Sequence, residues 1–139
     1  MMRGVLFIII VLYLRCFLRK NESIHCQTLK KCINHSTFNK QFLSKGISKD
    51  KIFIMDTANF FSKCDNFQID GQDFIIEHEL ISKERLVKNS NIIMFNVGIE
   101  SGITTYGFWC PSHGGAINYN FKKSKENGMH LIDYRIMDF

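Results

Sequence analysis

From residue 91 to the end of the chain, apolar side chains recur at every second position. In a β-strand this spacing places them on one face. Ile93, Phe95, Val97 and Ile99 form the first such run. Further runs cover residues 103–110, 117–121 and 129–137, with turn residues between them. The last turn is Asn127-Gly128, a pair that favours a tight hairpin. The pattern predicts four antiparallel strands connected as a meander.

The first half of the chain shows helical spacing instead. Ser36-Thr37 predicts the N-cap of a helix over residues 38–45, which Gly46 would end. Ser48 predicts the cap of a second helix over residues 49–63, with an apolar stripe that includes Ile52 and Met55.

A short strand and a third helix are expected next. Residues 66–69 alternate before a turn at Asp70-Gly71. Residues 72–82 fit either a helix or a strand, and their length favours a helix. The sequence therefore predicts an α+β fold, with two to three N-terminal helices packed on a curved antiparallel meander sheet.

Several segments carry a family resemblance: Phe38-Asn-Lys-Gln-Phe42, Phe60-Phe61, the hook Phe67-Gln-Ile-Asp-Gly71 and the closing Gly128-Met-His-Leu-Ile-Asp-Tyr134. Their layout over residues 36–139 resembles the nuclear transport factor 2-like cone fold, with a cystatin-like sheet as the nearest structural alternative. The leader and cysteines depart from the nuclear-transport members, so that role does not carry over.

The N-terminus has the layout of a secretory signal peptide. Arg3 precedes eleven apolar residues, 4–14, and Ser23 is the best position for cleavage. A membrane anchor is an alternative, but a spanning helix needs ~20 apolar residues and would enclose Arg15. A buried N-terminal helix is a third reading. We expect a signal peptide at 1–23, a cysteine-containing segment at 24–35 and one domain at 36–139, in a secreted or, alternatively, a membrane-anchored protein.

The positive charge lies mostly in this leader. The chain has a formal net charge of +5, and removing residues 1–23 takes away four basic residues and one acidic residue, which leaves +2. Nucleic-acid binding requires a concentrated basic face, so we expect no nucleic-acid partner. A membrane partner is expected only if the leader stays uncleaved.

Four cysteines remain after the leader: Cys26, Cys32, Cys64 and Cys110. An even number in an exported chain predicts two disulfides, in any of three pairings. Asn34-His-Ser is a glycosylation sequon next to this segment. We expect glycosylation at Asn34 if the protein is exported.

A catalytic site is implied only by the family resemblance. Small cone-fold dehydratases and isomerases use Asp, His and Tyr inside the cone. His130 and Tyr134 share strand parity, and Asp56 in the predicted second helix would face them as part of an acid–base pair. The alternative is that His130 is a sheet residue near a hairpin, Tyr134 packs in the core with its hydroxyl satisfied, and Asp56 lies on the solvent face. Nothing in the spacing requires catalysis.

Metal and cofactor sites are not predicted. Glu77-His78-Glu79 would not converge on a helix, and Cys110-Pro-Ser-His113 supplies only two ligands.

Aromatic residues of the meander are expected to line a ligand pocket: Phe95, Trp109, Tyr119, Phe121 and Tyr134. The sequence thus favours a small secreted, disulfide-bonded domain that binds a protein or an apolar small molecule. A cone-fold lyase or isomerase and a membrane-anchored luminal protein are the alternatives. The identity of the ligand and the oligomeric state stay open.

Overall fold

The computed structural model describes residues 22–43, 51–88, 91–126 and 128–138, together with residues 5, 8 and 9. Most of the predicted leader, including Cys16, and Asn127 of the predicted hairpin turn lie outside these residues. No helix within the described part of the chain is long and apolar enough to cross a membrane.

Besides the helical residues 5, 8 and 9, the described chain contains three helical segments and seven strands. Helix α1 spans Ile24–Asn34, α2 spans Ser36–Phe38 and continues into a π-helical turn at Asn39–Leu43, and α3 spans Lys83–Lys88. The strands are β1 Lys51–Met55, β2 Phe67–Ile69, β3 Gln72–Glu77, β4 Ile92–Glu100, β5 Ile103–Trp109, β6 Gly115–Lys123 and β7 Met129–Asp138.

All seven strands belong to one sheet in the order β2-β3-β1-β4-β5-β6-β7. β4 to β7 are antiparallel neighbours in chain order, which confirms the predicted meander. β1, however, runs parallel to both β3 and β4. The fold is α+β as predicted, but the expectation of a purely antiparallel sheet is wrong.

Two predicted helices are strands. Residues 49–63 contain β1 followed by turns, and residues 72–82 contain β3. In β1, Ile52 and Ile54 are both buried, and the strand has a partner on each side. A short, continuously apolar segment of this kind looks alike in a buried helix and a buried strand. The first predicted helix is present as a helical segment, but His35 rather than Ser36 forms its N-cap.

Helix α1 lies in the curve of the sheet. Its Leu29, Cys32 and Ile33 are buried with the inward side chains of β1 and β4 to β6. Its basic residues reach both sheet edges: Lys31 Nζ donates to the Met129 carbonyl of β7, and Lys30 lies over the Phe67 ring of β2. Because one helix contacts both edge strands, the sheet curls around it.

One disulfide joins α1 to the body of the domain, between Cys26 and Cys64. Of the two predicted disulfides, only this one is present among the described residues, where Cys32 and Cys110 are both buried and not bonded to each other. Cys32 lies on the core face of α1, and burial raises its pKa well above the usual range. Pairing depends on which segments the fold brings together, and cysteine spacing does not report that.

A β-bulge interrupts β7. Phe121 of β6 pairs with Leu131, whereas the preceding Asn120 pairs with Asp133, so Ile132 is an extra residue. A bulge of this kind reverses the alternation of side chains beyond it. His130 therefore lies opposite exposed Lys122, while Tyr134 lies opposite buried Tyr119. The expectation that His130 and Tyr134 share a face is wrong.

Candidate functional site

An open groove lies on the outer face of the meander, the face turned away from α1. It has a volume of about 600 Å³ and extends across β4 to β7 up to the turn at Pro111–Gly114. We call it the outer groove. Its main side chains are Asn96, Trp109, Pro111, Ala116, Asn118 and Met137, arranged around Gly107.

Gly107 forms the floor of the outer groove. Asn96 of β4 and Asn118 of β6 lie directly opposite it on either side. A Cβ atom on Gly107 would lie 2.0 Å from the Asn96 amide oxygen and 2.9 Å from that of Asn118. A glycine inside a strand often marks such a close approach. The missing side chain lets two amide groups lie over the strand.

Trp109 forms one apolar wall of the outer groove. It lies on β5 between Met94 and Ala116, two positions from Gly107, and 47% of its surface is exposed. An indole ring that stays half-exposed in the middle of a sheet offers a flat apolar surface with an N–H donor at its edge. Met137 and Pro111 add further apolar surface.

A row of bonded polar side chains lies next to the outer groove on the same face. Thr105 Oγ1 donates to Asn120 Oδ1 at 2.6 Å, and Asn120 Nδ2 donates to Asp133 Oδ1 at 2.5 Å. Thr105 lies two residues from Gly107 along β5, and Asn120 lies two residues from Asn118 along β6. Its groups already have partners within the sheet, so the amides over Gly107 are better placed to meet a ligand.

The five aromatic residues predicted to line a pocket do not share one surface. Trp109 borders the outer groove, whereas Phe95, Tyr119 and Phe121 are buried on the inner face. Tyr134 lies on the inner face at the edge strand, against the rings of His35 and Tyr119. The strand pattern correctly places these residues in the meander, but alternation alone does not tell which face is covered by α1.

The three predicted catalytic residues are also separated. Asp56 follows β1, whereas His130 and Tyr134 lie on β7, with β4, β5 and β6 between the two strands in the sheet. His130 is exposed on the outer face. The described geometry does not bring this trio into one acid–base site.

Asp56 instead organises the turn after β1. Its buried carboxylate accepts hydrogen bonds from the Phe60 and Phe61 amides at 3.0 and 2.7 Å. The Nδ1 atom of His78 lies 3.3 Å from the same carboxylate. A carboxylate beside an imidazole resembles an acid–base pair. Here, however, both carboxylate oxygens accept hydrogen bonds from backbone amides, which gives Asp56 a structural role.

The interior of the curled sheet holds two tyrosine hydroxyls in hydrogen bonds. Tyr106 Oη lies 3.0 Å from His25 Nδ1, and Tyr119 Oη lies 2.8 Å from Thr37 Oγ1. Burial raises the pKa of both tyrosines and lowers that of His25. The lowered pKa of His25 favours a neutral imidazole beside the Tyr106 hydroxyl. These contacts join the helical segment to the sheet.

The remaining predicted sites are arranged as follows. Within the described ranges, no group of three or more His, Cys, Asp or Glu side chains is placed to hold a metal ion. Adjacent Glu77 and His78 lie at the end of β3 rather than on a helix. Asn34 ends α1 and is exposed, as glycosylation of its side chain would require.

Asn96, Gly107 and Asn118 were not predicted as site residues. Their signal is in the sequence, because a glycine interrupts a strand rich in β-branched and aromatic residues. Identifying Gly107 as part of a site requires the strand register, which places both asparagines beside it.

Comparison with known proteins gives no relative. No family model, curated protein or solved structure matches the chain. The resemblance to the cone fold therefore stays a prediction, and the site has to be interpreted from its own chemistry.

Proposed function

We propose that this protein is a binding domain that takes a neutral saccharide ring in the outer groove. The single observation that carries the proposal is the half-exposed Trp109 beside two amides that meet over Gly107. The flat apolar face of a sugar ring would lie on the indole. Its hydroxyl groups would exchange hydrogen bonds with Asn96 and Asn118.

The polarity of the outer groove favours this ligand over a purely apolar one. Each primary amide has two donors and an acceptor. A ligand that covers them without hydrogen bonding would leave those groups unsatisfied, at a cost of about 1–3 kcal/mol each. Sugar hydroxyls both donate and accept, so they match an amide in either orientation.

The charge of the outer groove also limits the ligand. None of the side chains that line it is ionisable. A charged ligand that enters such a site loses hydration without gaining an ion pair. A neutral ligand avoids that loss, and the apolar surfaces of Trp109 and Met137 then supply the favourable burial.

We also propose that the domain is secreted. The Cys26–Cys64 disulfide supports this, because such bonds persist mainly in oxidising compartments. The exposed sequon at Asn34 gives a direct test in a eukaryotic secretory host. Wild-type protein in the medium should lose mass on deglycosylation, and Asn34→Gln should not. Protein found only in the cytosol and unglycosylated would contradict export.

Binding is tested by probing the exported protein against an array of neutral and acidic glycans. Selective binding to neutral glycans is expected, with a loss of about tenfold or more for Trp109→Ala and Asn118→Ala. Ile99→Ala is the matched control, since Ile99 is an exposed apolar residue outside the outer groove. Equal binding by wild type and Trp109→Ala, or no binding to any neutral glycan, would refute the proposal.

A further inference from the structure

Strand β7 is a long edge strand. The only strand paired with it in the described part of the chain is β6, and β7 runs for ten residues. Ile132, Tyr134 and Ile136 are 47%, 47% and 43% exposed. An edge with open backbone groups and exposed apolar side chains is a template for another strand.

The sequence of this edge is complementary to itself. In an antiparallel pair centred on Tyr134, Asp133 of one copy lies opposite Arg135 of the other, and the same pair forms a second time. Tyr134 then meets its own equivalent on the two-fold axis. Opposite charges and apolar pairs directly across strands are both stabilising.

We propose that β7 pairs with β7 of a second copy of this chain, antiparallel and in the register centred on Tyr134. Such an interface is isologous, since the same surface serves both copies and the contact closes as a dimer. It joins the two sheets into one continuous sheet.

Side chains of the helical segment hydrogen-bond to the backbone at the two ends of the edge. Lys31 Nζ donates to the Met129 carbonyl at 3.1 Å, and Gln41 Nε2 donates to the Met137 carbonyl at 3.4 Å. Between them the His35 ring packs against Tyr134, which stays 47% exposed. The pairing therefore centres on residues 133–135, which carry the complementary charges and the exposed Tyr134 ring.

The proposed axis runs through the sheet, so the outer faces of both copies point the same way. Met137 of β7 lines the outer groove. Two outer grooves would thus lie on one side of the joined sheet, close to the interface. A ligand with repeated units would then bind two sites at once and gain affinity through the higher effective concentration. The dimer itself does not depend on what the groove binds.

Charge reversal tests the pairing. The full chain is expressed, and the exported or detergent-extracted form is studied by chromatography with light scattering. Wild type is expected to have the mass of two chains. Arg135→Asp and Asp133→Arg each place like charges opposite one another, so each variant alone should dimerise at least about tenfold more weakly.

Two combinations separate lost pairing from lost folding. The double variant Asp133→Arg/Arg135→Asp restores opposite charges and should dimerise again. An equimolar mixture of the two single variants should form mixed dimers, because one contributes two arginines and the other two aspartates. A monomeric wild type, or variants that all behave alike, would overturn the proposal.

Cysteine cross-linking tests the register. Tyr134→Cys places two thiols opposite each other on the axis, within reach of a reagent that bridges about 5 Å. A covalent dimer is expected on a denaturing gel. Ile99→Cys on β4 lies at a position that is more exposed than Tyr134 and should give none. Equal cross-linking of both variants would contradict the proposed edge contact.

Discussion

The amide oxygen of Asn96 lies only 2.0 Å from the position that a Cβ atom on Gly107 would occupy. Heavy atoms cannot approach so closely, so the two amides over β5 exist only because residue 107 has no side chain. The packing of the sheet at residue 107 therefore determines where the two amide groups of the outer groove lie.

Gly107→Ala should therefore displace Asn96 and disturb Asn118. Because Asn96 is exposed and its side chain can rotate away, we expect weaker ligand binding with little change in stability. The measurement is a binding titration alongside urea unfolding. Gly98→Ala is the matched control, because a Cβ atom there meets nothing within 4 Å. If Gly107→Ala and Gly98→Ala both bind the ligand as tightly as wild type, the two amides over Gly107 do not form the binding site.

The disulfide should be a major source of stability. Cys26 and Cys64 are 38 residues apart in the chain, and removing a native disulfide from a small exported domain typically costs about 2–5 kcal/mol. The double variant Cys26→Ser/Cys64→Ser should unfold at a lower urea concentration by that amount.

Thiol labelling of the unfolded protein provides an independent check of the pairing. After denaturation without reduction, Cys32 should react with a thiol reagent, whereas Cys26 and Cys64 should not. Peptide mapping identifies the labelled positions. Protection of Cys32, or labelling of Cys26 or Cys64, under these conditions would show a different pairing.

His25 should make stability depend on pH. Burial lowers the pKa of this imidazole, whose Nδ1 atom lies 3.0 Å from the Tyr106 hydroxyl. The unfolded chain takes up a proton near pH 6.5 and the folded chain only at lower pH. The free energy of unfolding should therefore be fully present above about pH 7. The free energy of unfolding should decrease as the pH falls from the pKa of His25 in the unfolded chain towards its lower pKa in the folded chain.

Urea unfolding at several pH values between about 7.5 and 5.5 measures this effect. His25→Gln should flatten the decrease, whereas His130→Gln, at an exposed position, should leave it unchanged. An identical pH slope in wild type and His25→Gln would exclude His25 as its cause.

The meander could be predicted from the sequence because alternation is a local property of each strand. Ile93, Phe95 and Val97 repeat with a period of two over enough residues to exclude a helix. β1 could not be recognised in the same way. It is covered on both faces and flanked by strands on both sides, so its Ile-Phe-Ile-Met core carries no alternation.

Long-range contacts account for the other differences. The pairing of Cys26 with Cys64 depends on α1 lying in the curve of the sheet, and no short sequence pattern encodes that position. The bulge at Ile132 appears only when β7 is aligned with β6. The groove residues were missed for the same reason, since the meaning of Gly107 follows from its neighbours on β4 and β6.

The most direct test of the proposed binding function uses Trp109, the single tryptophan of the chain. Its fluorescence reports on the outer groove alone, so titrating the exported protein with neutral oligosaccharides measures binding at that site. We predict a saturable change in intensity or emission wavelength that Asn118→Ala weakens about tenfold or more and Ile99→Ala leaves unchanged. Fluorescence that stays constant while the oligosaccharides bind elsewhere, or that changes equally in Asn118→Ala, would contradict it.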